Sequence, residues 1–511
     1  MGDHSIDTIV VSDLHLGEGR NPRTGAYARM EDFFWDDEWL RFCEYLISGA
    51  ELENHGLRVV LNGDCFDLLQ MVRPYDGPLP TKRTERVYGA GSAPGKGAWK
   101  LSLILDGHPR FVEGLGALLA AGHEIVVVTG NHDAEFYWPD VQNRLRERVE
   151  AAAAVRLREG ETISGTIRFE QWFLLVDGDF WIEHGHRYDQ INSFRFQLEP
   201  VLPNTGGYPD ESLLRLPIGS LFARYLFNPI DNRYPLADNM GDDTTAFLWA
   251  VRNHPLSTGR LMLAYGKAFL KVLRKQSLFL PREIGPIRAT HRQRREALAE
   301  RHGLEPAALA RIDALQKNPT GGGHLGFMTR NLLHVLRKSL MPLGVLVVAV
   351  FVLLLMHNTI EAVFDGPIGR AVALTVSYLV ILFGALTAVL LLGSRRAFLR
   401  RRRPEPYRQA ARDIAELAGV RHVTFGHSHL SDVAEIGDDG LYFNTGTWTP
   451  LFHEEYEPFR PLVEFTYVEY SEGRARLMRW DDARGEPAPA RVLERPRPGF
   501  PLEDLDREKP E

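Results

Sequence analysis

The chain has 511 residues, enough for two or three domains, and a formal net charge of −7 at pH 7. This near balance excludes a strongly basic nucleic-acid-binding protein and a strongly acidic one. The two cysteines, Cys43 and Cys65, are too few for a disulfide framework and are typical of a reducing compartment. We expect no secretory signal, because no basic and apolar leader precedes the first strand.

Residues 1–189 alternate short apolar runs, which predict buried strands, with longer segments that have helical spacing. The predicted strands are residues 9–11, 58–61, 124–128, 172–176 and 179–183, and the helices are about 31–47, 98–121 and 140–155. From residue 190 to 410 the helix signal dominates. Strands are predicted again at 421–425, 441–444, 462–470 and 474–479.

These patterns predict four segments of the chain. Residues 1–189 and 411–481 form two parts of one α+β core, and residues 190–410 form a helical cap and insert between them. Residues 482–511 are rich in proline and charge, with few apolar side chains, and are predicted to be a disordered tail.

Two long apolar runs inside the insert predict a hairpin of transmembrane helices at about 340–357 and 371–393. Basic residues flank the hairpin on both sides, whereas its connecting loop has only Arg370 as a basic residue, so both ends and the α+β core are expected in the cytoplasm. The expected location is therefore the inner (cytoplasmic) membrane, with the lipid bilayer as a partner. The alternative is a helical hairpin buried in a large domain.

Polar side chains that can bind metal follow five of the predicted strands. They are Asp13 and His15; Asp64 and Asp67; Asn131, His132 and Asp133; His184 and His186; and His427 and His429. Strand ends at one edge of a sheet lie close in space, so we expect these groups to meet. Carboxylate and imidazole ligands suit Mn, Fe or Zn, and their number suits two ions. We interpret Cys65 as a small buried residue.

The order of the motifs resembles that of the calcineurin-like metallophosphoesterases. The motifs are Asp-x-His, Gly-Asp-x-x-Asp, Gly-Asn-His-Asp, a histidine after a strand, and Gly-His-x-His, within residues 6–188 and about 415–480. The resemblance implies a two-layered β-sandwich flanked by helices, with a dinuclear metal centre at one end. Ser-Asp-Leu-His-Leu-Gly resembles the UDP-2,3-diacylglucosamine diphosphatases in particular, although His132 stands where that branch usually has arginine.

The resemblance also implies a role for each motif residue. The first metal would be bound by Asp13, His15 and His429, the second by Asn131, His184 and His427, and Asp64 would bridge the two. The nucleophile would be a metal-bound hydroxide, with manganese the favoured metal. His132 would contact the phosphoryl group and protonate the leaving oxygen, and Asp67 would orient it. We expect the substrate to contact Asn131, His132 and His186. The alternative for His186 is a position behind the metal ligands, without contact to the substrate.

The sequence thus predicts a metal-dependent phosphoric ester hydrolase acting on a phosphate or pyrophosphate ester. We expect a lipid-linked substrate, with its tail against cap residues such as Leu221, Phe222, Tyr225 and Phe227. The alternatives are a broad-specificity phosphomonoesterase or phosphodiesterase for soluble substrates, and a non-catalytic membrane scaffold. No nucleic-acid partner is expected, because the sequence shows no basic groove with interleaved aromatic residues.

Overall fold

A computed structural model describes residues 6–81, 85–202, 213–228, 281–317, 405–450 and 463–492, together with short stretches between 352 and 377. The chain divides into two compact units. The first comprises Met1–Pro319 and Pro406–Glu511, and the second comprises Thr320–Glu405. Within the second unit, residues 367–369 and 371–377 are helical. All the candidate site residues belong to the first unit.

Seven strands of the first unit form a mixed sheet in the order β12-β11-β10-β1-β2-β3-β4. Four neighbouring strands are parallel: β1 (Ile6–Val11), β2 (Gly56–Asn62), β3 (Glu124–Val128) and β4 (Thr166–Glu170). The antiparallel strands are β10 (Phe465–Ser471), β11 (Arg474–Asp481) and β12 (Glu486–Pro489). The carboxyl ends of β1, β2 and β3 therefore lie side by side at one edge of this sheet.

A second sheet has five strands in the order β5-β6-β7-β9-β8. Its strands are β5 (Phe173–Val176), β6 (Phe180–Glu183), β7 (His422–Phe425), β8 (Asp432–Ile436) and β9 (Gly440–Asn444). The chain leaves this sheet after β6 and returns, more than two hundred residues later, as the parallel neighbour β7. The ends of β6 and β7 therefore lie together although they are distant in sequence.

An apolar core joins the two sheets face to face. Val10, Val60 and Val126 of the first sheet pack in one cluster with Ile182 and Phe443 of the second, and all five are buried. Val and Ile favour the pleated surface that such a sandwich core requires. Mixed sheets with flanking helices agree with the predicted metallophosphoesterase type of fold.

Helices cover the outer faces of the sandwich. The helices of the first 155 residues are α1 (Asp36–Glu53), α2 (Glu85–Tyr88), α3 (Pro94–Gly107), α4 (Pro109–Ala120) and α5 (Pro139–Ala154). Of these, α1 contacts β2, α4 contacts β3, and α3 and α5 pack against α4. The remaining helices are α6 (Ile218–Phe222), α7 (Pro281–Arg301), α8 (Pro306–Ala314) and α9 (Glu405–Ala418). Leu298 of α7, Leu309 of α8 and Ile414 of α9 pack with Trp181 and Val423 of the second sheet. Part of the predicted insert thus forms the outer layer of this sheet.

The predicted transmembrane hairpin and the predicted disordered tail each lie partly outside the described residues, and the described parts differ from the prediction. Within the described residues no helix is long and apolar enough to cross a membrane, so the predicted multi-pass membrane location is wrong. The predicted spans at about 340–357 and 371–393 lie mostly outside the described residues. β12 lies in the segment predicted as a disordered tail, where its backbone pairs with β11, and residues 493–511 lie outside the described residues.

A buried histidine anchors the loop that follows β1. His108, between α3 and α4, lies 3.0 Å from Asp36 Oδ1 through Nδ1 and 3.4 Å from Glu31 Oε2 through Nε2. Glu31 also accepts hydrogen bonds from the backbone N–H groups of Gly17 and Gly19. Burial lowers the pKa of His108, but Asp36 and Glu31 outweigh burial and raise it to about 9. The protonated ring therefore stabilises the folded loop.

We predict that His108 makes the stability of the protein depend on pH. Because its pKa is higher in the folded chain, its contribution is complete below the unfolded value of 6.5 and is lost as the pH rises through about 9. That contribution is on the order of 3 kcal/mol. The Tm difference between the wild type and His108→Gln should be large at about pH 6 and much smaller at about pH 10. An equal difference at both pH values would contradict this role.

Candidate metal centre

The strand-end loops that carry the predicted ligands contact one another directly. The backbone N–H of Asp13 donates to the carbonyl of Gly63 (3.1 Å), and that of His15 donates to the carbonyl of Asp64 (3.0 Å). In the second sheet, the N–H of Gly426 donates to the carbonyl of His184 (2.9 Å). These hydrogen bonds join the loop after β1 to the loop after β2, and the loop after β7 to the loop after β6.

The backbone at this edge adopts an uncommon conformation. Among the described residues, eight non-glycine residues have positive φ, and five of them are predicted metal ligands: Asp13, His15, Asp64, His427 and His429. A non-glycine residue in this region costs free energy, so the surrounding structure must hold it there. Such residues concentrate at functional sites, and here the conformation turns the side chains towards a common point.

The first group of converging ligand atoms comes from Asp13, His15 and His429, which each offer one atom within 4.8 Å of the others. His15 Nε2 lies 3.1 Å from His429 Nε2, and His429 Nε2 lies 3.4 Å from Asp13 Oδ1. Two imidazole nitrogens and a carboxylate oxygen in this arrangement are a donor set for a divalent transition metal. These are the residues that the sequence predicted for the first metal.

The second group comes from Asp64, His184 and His427. His184 donates through Nδ1 to the carbonyl of Asn62 (2.9 Å), and its Nε2 lies 3.0 Å from Asp64 Oδ2. Asn131, predicted beside them, has a buried Oδ1 with no hydrogen-bond partner within the described part of the chain. Asp64 falls in this group but not in the first, so its predicted bridging role stays a prediction.

Asp67 connects the first ligand group to His132. Its Oδ2 accepts from Nδ1 of His15 (3.0 Å) and from Nδ1 of His132 (2.9 Å). Its Oδ1 accepts from the backbone N–H groups of Leu69 and Gln70, which fixes the carboxylate. The sequence predicted the contact with His132 and missed the one with His15. One carboxylate therefore orients both a candidate ligand and the candidate acid.

A comparison with known protein families agrees with this geometry. Residues 6–219 match the family model described as calcineurin-like phosphoesterase. The matched segment carries four of the five strand-end groups, and the Gly-His-x-His group lies beyond it. No curated protein and no solved structure matches the chain. The resemblance to UDP-2,3-diacylglucosamine diphosphatases stays a prediction.

Buried charges of opposite sign balance one another in the candidate metal centre. Burial raises the pKa of a carboxyl group, but at Asp64 the imidazoles of His184 and His132 outweigh burial and hold its pKa well below the usual range. Burial lowers the pKa of His184, but Asp64 and Asp13 outweigh it and raise the value to about 9. The carboxylates therefore stay ionised and attract positive charge, which is what a cation site requires.

His186 lies behind the candidate ligands. It is 2% exposed, and its Nε2 lies 3.0 Å from Gln197 Oε1, whose amide in turn donates to the carbonyl of Gln171. Burial, then the nearby His184 and His427, lower its pKa well below 6.5, so the ring is neutral. It belongs to none of the converging groups found among the described residues. The geometry favours a packing role over contact with substrate.

Two further residues shape the site: Asp133, which the sequence placed among the possible metal-binding side chains without a specific role, and Thr447, to which it assigned none. Asp133 accepts from the backbone N–H of Gly130 through Oδ1 and from that of Cys65 through Oδ2, so it ties the β3 loop to the β2 loop. Burial, followed by the charge of Asp64, raises its pKa to about 7. Thr447 donates its hydroxyl to the carbonyl of Asp13 (2.6 Å). Asp133 stood inside a quoted motif, whereas Thr447 carried no signal in the sequence.

We predict that Gly63→Ala removes metal from the second group. Gly63 has a φ of 79°, and a Cβ there would lie 2.5 Å from Cγ of His184. The matched control is Gly178→Ala, because Gly178 has a φ of 67° but no atom within 4 Å of the added Cβ. Each change should cost roughly 1 kcal/mol through backbone strain. Elemental analysis should show metal loss for Gly63→Ala alone, and full occupancy in that variant would contradict the predicted place of His184.

Proposed function

We propose that this protein is a phosphoesterase that uses two divalent metal ions to hydrolyse a phosphate or pyrophosphate ester. The observation that carries the proposal is the convergence of two separate ligand groups at one edge, with His132 beside them. Asp13, His15 and His429 would hold one ion, and Asp64, Asn131, His184 and His427 the other. A scaffold without metal would have no need to bury these polar groups together.

The side chains present fit such ions. The donors are carboxylate, imidazole and amide groups, which suit Mn, Fe or Zn, and we favour manganese among them. Oδ1 of Asn131 is buried and has no hydrogen-bond partner among the described residues, as expected of an oxygen that would bind an ion. The residues on either side of Asn131 both lie against Asp64. The backbone N–H of His132 donates to Asp64 Oδ1, and Gly130 leaves room for the same oxygen because it has no side chain. Cys65 is buried with its thiol against the carbonyl of Gly63 and belongs to none of the groups in the described chain.

The chain itself supplies proton transfer. When bound, two divalent ions lower the pKa of water and offset the charge of a phosphoryl group. Because Asp67 accepts the Nδ1 proton of His132, the Nε2 atom of that ring is the one that can serve the substrate. The carboxylate stabilises the imidazolium, which donates its Nε2 proton to the leaving oxygen. The His132 side chain is 19% exposed, more than that of Asp67 at 2%, as a group that meets substrate should be.

We further propose that the phosphate ester is linked to a lipid. Only the sequence resemblance supports this choice of substrate. Leu221 is 1% exposed, and Tyr225 packs on the ring of Tyr88, with ring centroids 4.8 Å apart. The side chains of Phe222 and Phe227 lie outside what the structure describes. Hydrolysis of one headgroup with and without its tail tests this choice. Equal kcat/KM for the two substrates would rule it out.

We predict that His132→Ala keeps both metal ions but slows hydrolysis by about 10²–10⁴-fold, because it removes a general acid and no ligand. Asp64→Asn should abolish activity and lower metal content, because it removes a ligand charge from the second group. Metal content and the rate on a generic phosphate ester measure both effects.

His55→Ala is the control for these variants. His55 also stands near two carboxylates, Asp7 and Glu53, but on the far end of β1 from the site. It should change neither metal content nor rate. Active wild-type protein that contains no transition metal would contradict the proposed function.

A further inference from the structure

Asp189 contacts the last histidine of the second ligand group. Its Oδ2 lies 3.3 Å from Nε2 of His427, a ring whose side chain is only 9% exposed. Asp189 follows His184 by five residues, at the end of a short 3-10 turn over His186–Tyr188. None of the sequence motifs includes it.

This contact engages one of the two ring nitrogens of His427. Nε2 faces the carboxylate of Asp189, and this contact leaves Nδ1 for a metal. His427 is one of the three residues of the group formed with Asp64 and His184. The other imidazoles follow the same rule: His15 donates its Nδ1 proton to Asp67, and His184 donates its Nδ1 proton to the carbonyl of Asn62. A metal-binding imidazole that is held from behind by an oxygen has a fixed tautomer and orientation.

The same carboxylate organises the chain that leaves the site towards α6. Asp189 Oδ1 accepts from the N–H of Ile191 (3.0 Å), and Oδ2 accepts from the side-chain amide of Asn192 (2.9 Å). The N–H of Gly219 donates to the carbonyl of Ile191 (3.0 Å), and Asn192 Oδ1 occupies the space where a Cβ on Gly219 would lie. The backbone N–H of Ile191 fixes Oδ1, and Oδ2 therefore faces His427; the amide of Asn192 is a second contact of the turn on the same oxygen.

We propose that Asp189 is a positioning residue for the second metal ion: it holds His427 with the proton on Nε2 and leaves Nδ1 as the ligand atom. This inference rests on the proposed metal centre. A carboxylate accepts this proton better than a neutral amide does, because the charge strengthens the hydrogen bond and raises the basicity of the ligand nitrogen. Loss of the charge should therefore weaken one metal site and leave the other unchanged.

The test is a titration of metal-free protein with Co²⁺, followed by visible absorption, for the wild type, Asp189→Asn and Asn192→Ala. The wild type should bind two equivalents. Asp189→Asn should bind one equivalent normally and the other about 10–100-fold more weakly, with a changed absorption band for that ion. Asn192→Ala removes a contact of the same turn but keeps the carboxylate on His427, so it should bind both equivalents as the wild type does.

Asp189→Glu keeps a carboxylate at this position and serves if Asp189→Asn does not fold. It should recover part of the lost affinity. Wild-type affinity for both ions in Asp189→Asn would overturn the proposal, and so would an equal loss in Asn192→Ala, because that would show a role only in the turn. Failure of the wild type to bind two ions would instead contradict the metal centre itself, so the two failures are distinguishable.

Discussion

The structure depends on the pairing of three buried carboxylates with imidazole rings. Asp13, Asp64 and Asp67 are 0%, 1% and 2% exposed. A buried carboxylate costs several kcal/mol unless charge and hydrogen bonds compensate it. Here the compensation comes from histidines on other strands, such as His429 against Asp13 and His184 against Asp64. The carboxylates therefore stay ionised, and this is the condition for holding divalent cations.

The two sheets make this pairing possible because the ends of their strands meet at one edge of the sandwich. Parallel β1, β2 and β3 place three loops at one edge, and the apolar core between the sheets aligns the ends of β6 and β7 with that edge. The hydrogen bond from Gly426 to His184 then joins the last ligands to a strand that ends more than two hundred residues earlier. Close packing leaves little freedom here: a Cβ on Gly426 would lie 2.4 Å from Asp13 Oδ2. Metal ligands, loop conformation and sheet packing are thus parts of one constraint.

Much of this arrangement could be predicted from the sequence, because strand ends and ligand types are local signals. Two of the motifs, one with Asp13 and His15 and the other with His427 and His429, each follow an apolar run. The structure brings residues of both motifs together in the first ligand group. The second contact of Asp67 and the contact of Asp189 with His427 could not be predicted, since each depends on side-chain directions set by distant parts of the chain. The apolar runs and their flanking basic residues predicted the membrane location, and no described helix meets the length and apolarity that a span requires.

Anomalous diffraction from crystals of the protein grown with Mn²⁺ would test the dinuclear centre directly. We expect two strong peaks, one among Asp13, His15 and His429 and the other among Asp64, His184 and His427. The surface group of Asp7, Glu53 and His55 offers an internal comparison, because it has similar donors but stands outside the strand-end loops. A single peak, no peak, or manganese only at that surface group would contradict the dinuclear centre.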